Sequence, residues 1–215
     1  MLATLVTLSR FPLLAFVVVT FYRGTPAVRL IGVGVLLVGL LLDTVDGMIA
    51  RKRHEATLVG SVLDIAADRT YELVLWICFA ERGLIPMTIP CIVITRTALT
   101  DALRSVEVAK GVAPFAQLRS RAAQLLVASS WMRSAYGVSK VVAFCGLALV
   151  LAVGSGLKHA AVLTAIAGIM AWVTVVLCVA RGVPVVVEGL RQHWTRPPVP
   201  ARRNAVADRG APIVI

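Results

Sequence analysis

Apolar residues run through this chain in long continuous stretches, not in the every-other-residue alternation of a half-buried strand, and short basic connections separate them. Continuous runs of this length predict helices. Six are read from the pattern, near 8–22, 27–50, 58–80, 84–108, 134–155 and 158–181. A helix needs about 20 apolar residues to cross a hydrocarbon core, where its backbone must satisfy its own hydrogen bonds. The expected fold is therefore all-α: an integral membrane bundle of six transmembrane helices with a short N-terminal amphipathic segment. In that segment, within residues 1–10, Thr4, Thr7 and Arg10 share one helical face. The membrane domain is expected to cover 1–195. Residues 196–215, with Pro197, Pro198, Pro200 and Pro212 among arginines, read as a flexible basic tail.

Composition agrees: of 215 residues 59% are hydrophobic, and the mean hydropathy is +0.87. A net charge of +11 would suggest nucleic acid in a soluble protein, but the distribution of the 22 Lys and Arg argues against that partner. Basic residues gather at the N-terminus (Arg10), the second connection (Arg51, Lys52, Arg53), the fourth (Arg104 to Lys140) and the tail. The intervening connections hold only Arg23, Arg29, Arg82 and Lys158. Positive loops stay cytoplasmic, so both termini are expected inside, in an inner or plasma membrane crossed several times. No cleavable signal peptide is apparent. Cys78, Cys91, Cys145 and Cys178 lack metal or disulfide spacing, and His54, His159 and His193 are isolated.

Four of the eleven acidic residues lie between Asp43 and Asp68, inside otherwise apolar sequence. Ionisable groups in spanning segments mark function. Asp43 and Asp46 are three apart and Asp64 and Asp68 four apart, so each pair occupies one helical face. A short connection makes the second and third helices antiparallel neighbours and brings the pairs together at the cytoplasmic boundary. Four converging carboxylates repel, and divalent cations resolve the conflict; hard oxygen ligands favour Mg²⁺ or Mn²⁺. Two such ions are a known device for polarising phosphate oxygens. Gly47, Ala50 and Gly60 lie on the same faces, where a missing or small side chain lets a flat base or a diphosphate approach, and Arg51 supplies a fork for phosphate.

The whole string resembles the signature of the CDP-alcohol phosphotransferase family, D-x2-D-G-x2-A-R-x8-G-x3-D-x3-D, matched at Asp43, Asp46, Gly47, Ala50, Arg51, Gly60, Asp64 and Asp68. The resemblance implies a cytoplasm-facing cavity in which CDP-diacylglycerol donates its phosphatidyl group to an alcohol and releases CMP. It implies that Asp43, Asp46 and Asp64 hold metal, with Asp68 contributing and serving as general base. It places Asp43, Gly47, Ala50, Arg51, Gly60 and Thr7 around the CDP moiety. It also implies a homodimer.

The opening Thr4-Leu5-Val6-Thr7-Leu8-Ser9-Arg10 is similar to the N-L-L-T-x-x-R start of bacterial phosphatidylglycerophosphate synthases, with Thr4 in place of Asn. Arg96 to Arg104 resembles their R-E-x-x-x-x-x-L-R segment, with Thr97 in place of Glu. Gly137-Val138-Ser139-Lys140 resembles a G-K-x-K element without its first lysine. Arg96, Arg104 and Lys140 are thus expected to receive the phosphate of glycerol 3-phosphate, with Arg133 substituting for the missing charge. An ion pair of Arg96 with Asp101 is the alternative to that role. Other acceptors of the same chemistry are phosphatidylglycerol, inositol phosphate and serine. A non-catalytic lipid-binding protein is a separate reading, against which the intact aspartate set argues.

Overall fold

The computed structural model describes residues 2–53, 58–109, 125–127, 129–154 and 160–195. The side chains of 2–7, 42–53, 58, 59, 61, 104, 107–109 and 192–195 lie outside that description. The described residues form six long helices and no strand: α1 (Leu2–Arg23), α2 (Pro26–Arg53), α3 (Leu58–Glu81), α4 (Thr88–Ala109), α5 (Ser130–Val153) and α6 (Ala160–Thr195).

The ends follow local chemistry. Pro26 opens α2 at a position where its missing N–H costs nothing, and Thr25 Oγ1 accepts from Val28 N at 3.5 Å. α3 stops at Gly83, whose φ of 72° suits glycine. There Gly83 N reaches Ala80 O at 2.9 Å and Leu84 N reaches Phe79 O at 3.0 Å, the paired bonds of a Schellman motif. That stop, followed by Pro86, is why α4 begins at Thr88 and not near 84. Ser129 caps α5 by accepting from Met132 N at 3.3 Å. At the other end of α5, Arg29 Nη1 donates to Leu151 O at 3.2 Å, satisfying a carbonyl in the last turn.

Two further expectations change. The segment over 1–10 is not separate, because α1 is one helix from Leu2. α6 continues past 181 to Thr195 through Pro184, which removes one hydrogen bond, to Ala180 O, but does not end the helix. The expected tail, 196–215, and His54 lie outside the described residues.

The helices neighbour one another in the cyclic order α1, α2, α5, α6, α4, α3, and α3 and α5 also meet across the middle. Bare positions allow close approach: a Cβ on Gly32 would collide with Thr20 Oγ1, and one on Gly146 would stand 3.3 Å from Ala167 Cβ. Trp76 and Phe79 of α3 surround Phe144 of α5, with centroids at 4.8 and 5.9 Å, and Phe21 of α1 lies 6.0 Å from Phe79. All four rings are fully buried, among Val17, Leu36, Ile89 and Leu147. By length and composition, α5 and α6 are able to cross a membrane, and α2 holds a shorter apolar stretch, Pro26–Leu41. Charges within α1, α3 and α4, such as Arg10, Asp64, Asp68, Arg96 and Asp101, interrupt their apolar runs. Much of the outer surface is apolar, including Val19, Ile31, Val62, Trp131, Ile169 and Val176.

Phe144→Ala should empty the centre of this aromatic group and cost about 3–5 kcal/mol. Unfolding of the detergent-solubilised protein measures it. A cost below about 1 kcal/mol would mean the site collapses freely and the rings do not organise the bundle.

Candidate active site

α3 carries three acids at intervals of four, Asp64, Asp68 and Glu72, which therefore share one stripe. Neighbouring helices bring cations to it. Arg10 of α1 is 2% exposed, with Nη1 3.6 Å from Asp64 Oδ1 and Nη2 3.9 Å from Asp68 Oδ1. Its guanidinium also lies 5.6 Å from the centre of the Tyr71 ring. Taking an arginine out of water costs several kcal/mol, which two carboxylates and an aromatic face offset. From α5, Lys140 Nζ stands 3.4 Å from Asp68 Oδ1 and 3.4 Å from Glu72 Oε2. The Tyr136 hydroxyl donates to Glu72 Oε1. Arg69, on the neighbouring face of α3, pairs with Asp101 of α4 at 3.5 Å.

These contacts fix the relative directions of the helices. The first halves of α1, α3 and α5 and the second half of α4 meet at one end of the bundle, and Arg96 of α4 lies against Gly182 of α6. The sequence-predicted residues fall into two groups there. Asp64, Asp68 and Lys140 come together. Arg96 and Arg133 instead lie near enough to Arg181 for each to act on its charge, and Arg181 sits 5.4 Å from the Tyr136 ring centre. Asp101 takes Arg69 as its partner, not Arg96. Arg96 lines a cavity of about 490 Å³ between α4 and α6, otherwise walled by residues such as Ile92, Leu99, Val179 and Val183. Gly60 occupies the first turn of α3, one turn before Asp64. Asp43, Asp46, Gly47, Ala50 and Arg51 lie in the last turns of α2, Thr7 in α1 and Arg104 in α4; their side chains are outside the described residues.

Asp64 and Asp68 turn toward one guanidinium, so their oxygens face a common space, and oxygen donors are what Mg²⁺ or Mn²⁺ requires. The two carboxylates fit as part of such a site. Among the described residues no group of three or more ligating side chains is gathered. Sequence reasoning missed Arg10, Glu72, Tyr136 and Arg181 as site residues. An arginine in the first apolar run, and a glutamate four residues beyond Asp68, were the signals available.

The chain matches the family described as CDP-alcohol phosphatidyltransferase over residues 1–179. It belongs to that family. Among curated proteins, it is 30% identical over 99 residues to a CDP-diacylglycerol–glycerol-3-phosphate 3-phosphatidyltransferase of Rickettsia bellii, covering 46% of this chain and 54% of that protein. It is 36% identical over 101 residues to a cardiolipin synthase (CMP-forming)/mitochondrial hydrolase fusion protein of Schizosaccharomyces pombe, covering 46% of this chain and 16% of the fusion. The chain thus spans about half the length of the Rickettsia protein and much less of the fusion. In this CDP-alcohol phosphatidyltransferase family member, the signature acid Asp68 meets cations from α1 and α5, and the signature acid Asp64 meets the one from α1.

Position 39 tests how Arg10 is seated. A Cβ on Gly39 would stand 2.6 Å from the Tyr71 hydroxyl, the end of a stiff ring packed on Arg10, whereas one on Gly34 meets nothing within 4 Å. Gly39→Ala should therefore destabilise by about 1–3 kcal/mol and lower activity. Gly34→Ala should be neutral or stabilising by about 0.5–1 kcal/mol. Thermal unfolding of both variants compares them, and equal effects would contradict this packing.

Proposed function

We propose that the protein transfers a phosphatidyl group from CDP-diacylglycerol to an alcohol with release of CMP, and that glycerol 3-phosphate is the acceptor. The observation that carries the reading is the convergence of Asp64 and Asp68, the last two acids of a fully matched family signature, at a cation-rich end of the bundle. Six spans, both termini and the site on the cytoplasmic side, and a homodimer complete the proposal. The apolar outer surface and the side preference of the basic connections support the topology.

An alcohol is a weak nucleophile until a base begins to take its proton. Asp68 is the base in this proposal. As the hydroxyl proton passes to its carboxylate, the alcohol oxygen bonds to the phosphorus that bears the diacylglycerol, and the bond from that phosphorus to the CMP oxygen breaks. Asp43, Asp46, Asp64 and Asp68 would hold Mg²⁺ or Mn²⁺, two ions in this reading, which when bound supply charge stabilisation at the phosphate oxygens. Thr7, Gly47, Ala50, Arg51 and Gly60 surround the CDP moiety. Arg96, Arg104, Arg133 and Lys140 receive the acceptor phosphate, and the proximity of Arg181 to Arg96 and Arg133 adds a fifth cation to that set.

A second acceptor, phosphatidylglycerol, is favoured by the likeness to the cardiolipin synthase portion of the Schizosaccharomyces pombe fusion. It carries a phosphodiester in place of a terminal phosphate, so the two readings differ in how much they need the arginine group.

Purified protein should release CMP from CDP-diacylglycerol only with Mg²⁺ or Mn²⁺ and an acceptor present. Asp64→Asn keeps shape while removing a charge and should lower the rate by about 10²–10³ or more. Asp68→Asn should reduce turnover much more than donor binding. CMP release near the wild-type rate from a correctly inserted Asp64→Asn protein would sink the metal-site reading.

For the acceptor, Arg96→Ala should raise the KM for glycerol 3-phosphate by the equivalent of about 1.5–3 kcal/mol while sparing the donor. Glycerol itself should be a very poor substrate. Equal use of glycerol and glycerol 3-phosphate, or unchanged acceptor kinetics in Arg96→Ala, counts against the phosphate pocket and moves attention to phosphatidylglycerol.

A further inference from the structure

α3 and α5 each contribute residues four apart to one square of side chains: Asp68 and Glu72 from α3, Tyr136 and Lys140 from α5. Glu72 is 3% exposed, and no part of the reaction described above uses it. Both of its oxygens are committed, Oε1 to the Tyr136 hydroxyl and Oε2 to Lys140 Nζ at 3.4 Å. Asp68 Oδ1 is also 3.4 Å from that nitrogen. A charge-assisted N–H···O contact closes to about 2.7–2.9 Å when nothing competes. The ammonium stands equally far from the two carboxylates, at a distance longer than that, so it is shared between them and bound tightly by neither. Glu72 is in turn restrained, since Tyr136 fixes its other oxygen and the Tyr136 ring packs near Arg181.

We propose that Glu72, anchored by Tyr136, is a positioning residue that holds the Lys140 ammonium back from Asp68 and presents it to the acceptor phosphate. The inference rests on the acceptor reading above and adds the group that sets where Lys140 stands. With Glu72 neutralised, the opposing pull on Lys140 is lost and the ammonium moves onto Asp68. A tight Lys140–Asp68 pair would withdraw a cation from the acceptor and the base from its hydroxyl together, because small displacements of reacting groups carry large rate penalties. A buried acid with a merely structural role would lower stability without preferring one substrate over the other.

Glu72→Gln preserves shape and still accepts from Tyr136. It should raise the KM for glycerol 3-phosphate about tenfold and lower kcat, leaving the KM for CDP-diacylglycerol within about twofold. Tyr136→Phe keeps the ring and loses only the hydroxyl, so it should move the same constants in the same direction by less. In a Lys140→Met background the Glu72→Gln change should alter acceptor KM by less than about twofold, since its action passes through the lysine. The rise in unfolding temperature caused by glycerol 3-phosphate should rank the variants identically without turnover. Equal shifts in both substrates' KM, or the same fold-change with and without Lys140, would overturn the proposal. If Lys140→Met moves the acceptor KM and the thermal shift but Glu72→Gln moves neither, the acceptor reading stands and the positioning role is lost. If Lys140→Met changes neither, the acceptor reading fails and takes the proposal with it.

Discussion

A row of acids on one face of α3 is the constraint around which the other helices are arranged. A carboxylate among apolar helices needs a cation or a hydrogen-bond donor within reach, and α3 cannot supply enough of them itself. Arg10 therefore comes from α1, Tyr136 and Lys140 from α5, and Asp101 of α4 answers Arg69. Each of these links joins α3 to a different neighbour, so satisfying the charges also selects which faces of α1, α4 and α5 turn inward. The aromatic group of Trp76, Phe79 and Phe144 then fills the space one to two turns further along α3, where no charge remains to be matched.

The acids were legible in the sequence because a carboxylate in an apolar run has few innocent explanations, and their spacing alone put Asp64 and Asp68 on one face. The helices were legible from run length, though their ends were less so. The last helix was expected to end near 181, yet α6 continues to Thr195 through Pro184 because one missing hydrogen bond is cheaper than breaking a packed helix. Tyr136 carried no signal of its own, and Glu72 only its spacing of four from Asp68. A glutamate in a span becomes informative only when a second helix is known to place a donor against it, and that juxtaposition is long-range: Tyr136 is 64 positions away. Likewise Asp101 was weighed as a partner for Arg96, its neighbour on the same helix, when the partner is Arg69 across the α3–α4 contact.

The basic residues expected to act together occupy two stations. Lys140 stands with the acids, whereas Arg96, which lines the α4–α6 cavity, and Arg133 both lie near Arg181. Tyr136 joins the stations: its hydroxyl serves Glu72, and its ring lies within 5.8 Å of Lys140 Nζ and 5.4 Å of the Arg181 guanidinium. An aromatic face attracts cations without neutralising them as a carboxylate would. Like charges can thus be gathered at one end of the bundle while retaining their capacity to bind an anion.

The bond from Arg29 to the Leu151 carbonyl lies at the opposite end of α2 from Asp43, some 14 residues away, or about 21 Å along a helix. Apolar side chains on parallel cylinders leave sliding along the axis weakly determined, because one turn of leucines and valines resembles the next. A single directional contact removes that freedom. Arg29 acts as a depth stop: it fixes how far α2 is pushed along α5.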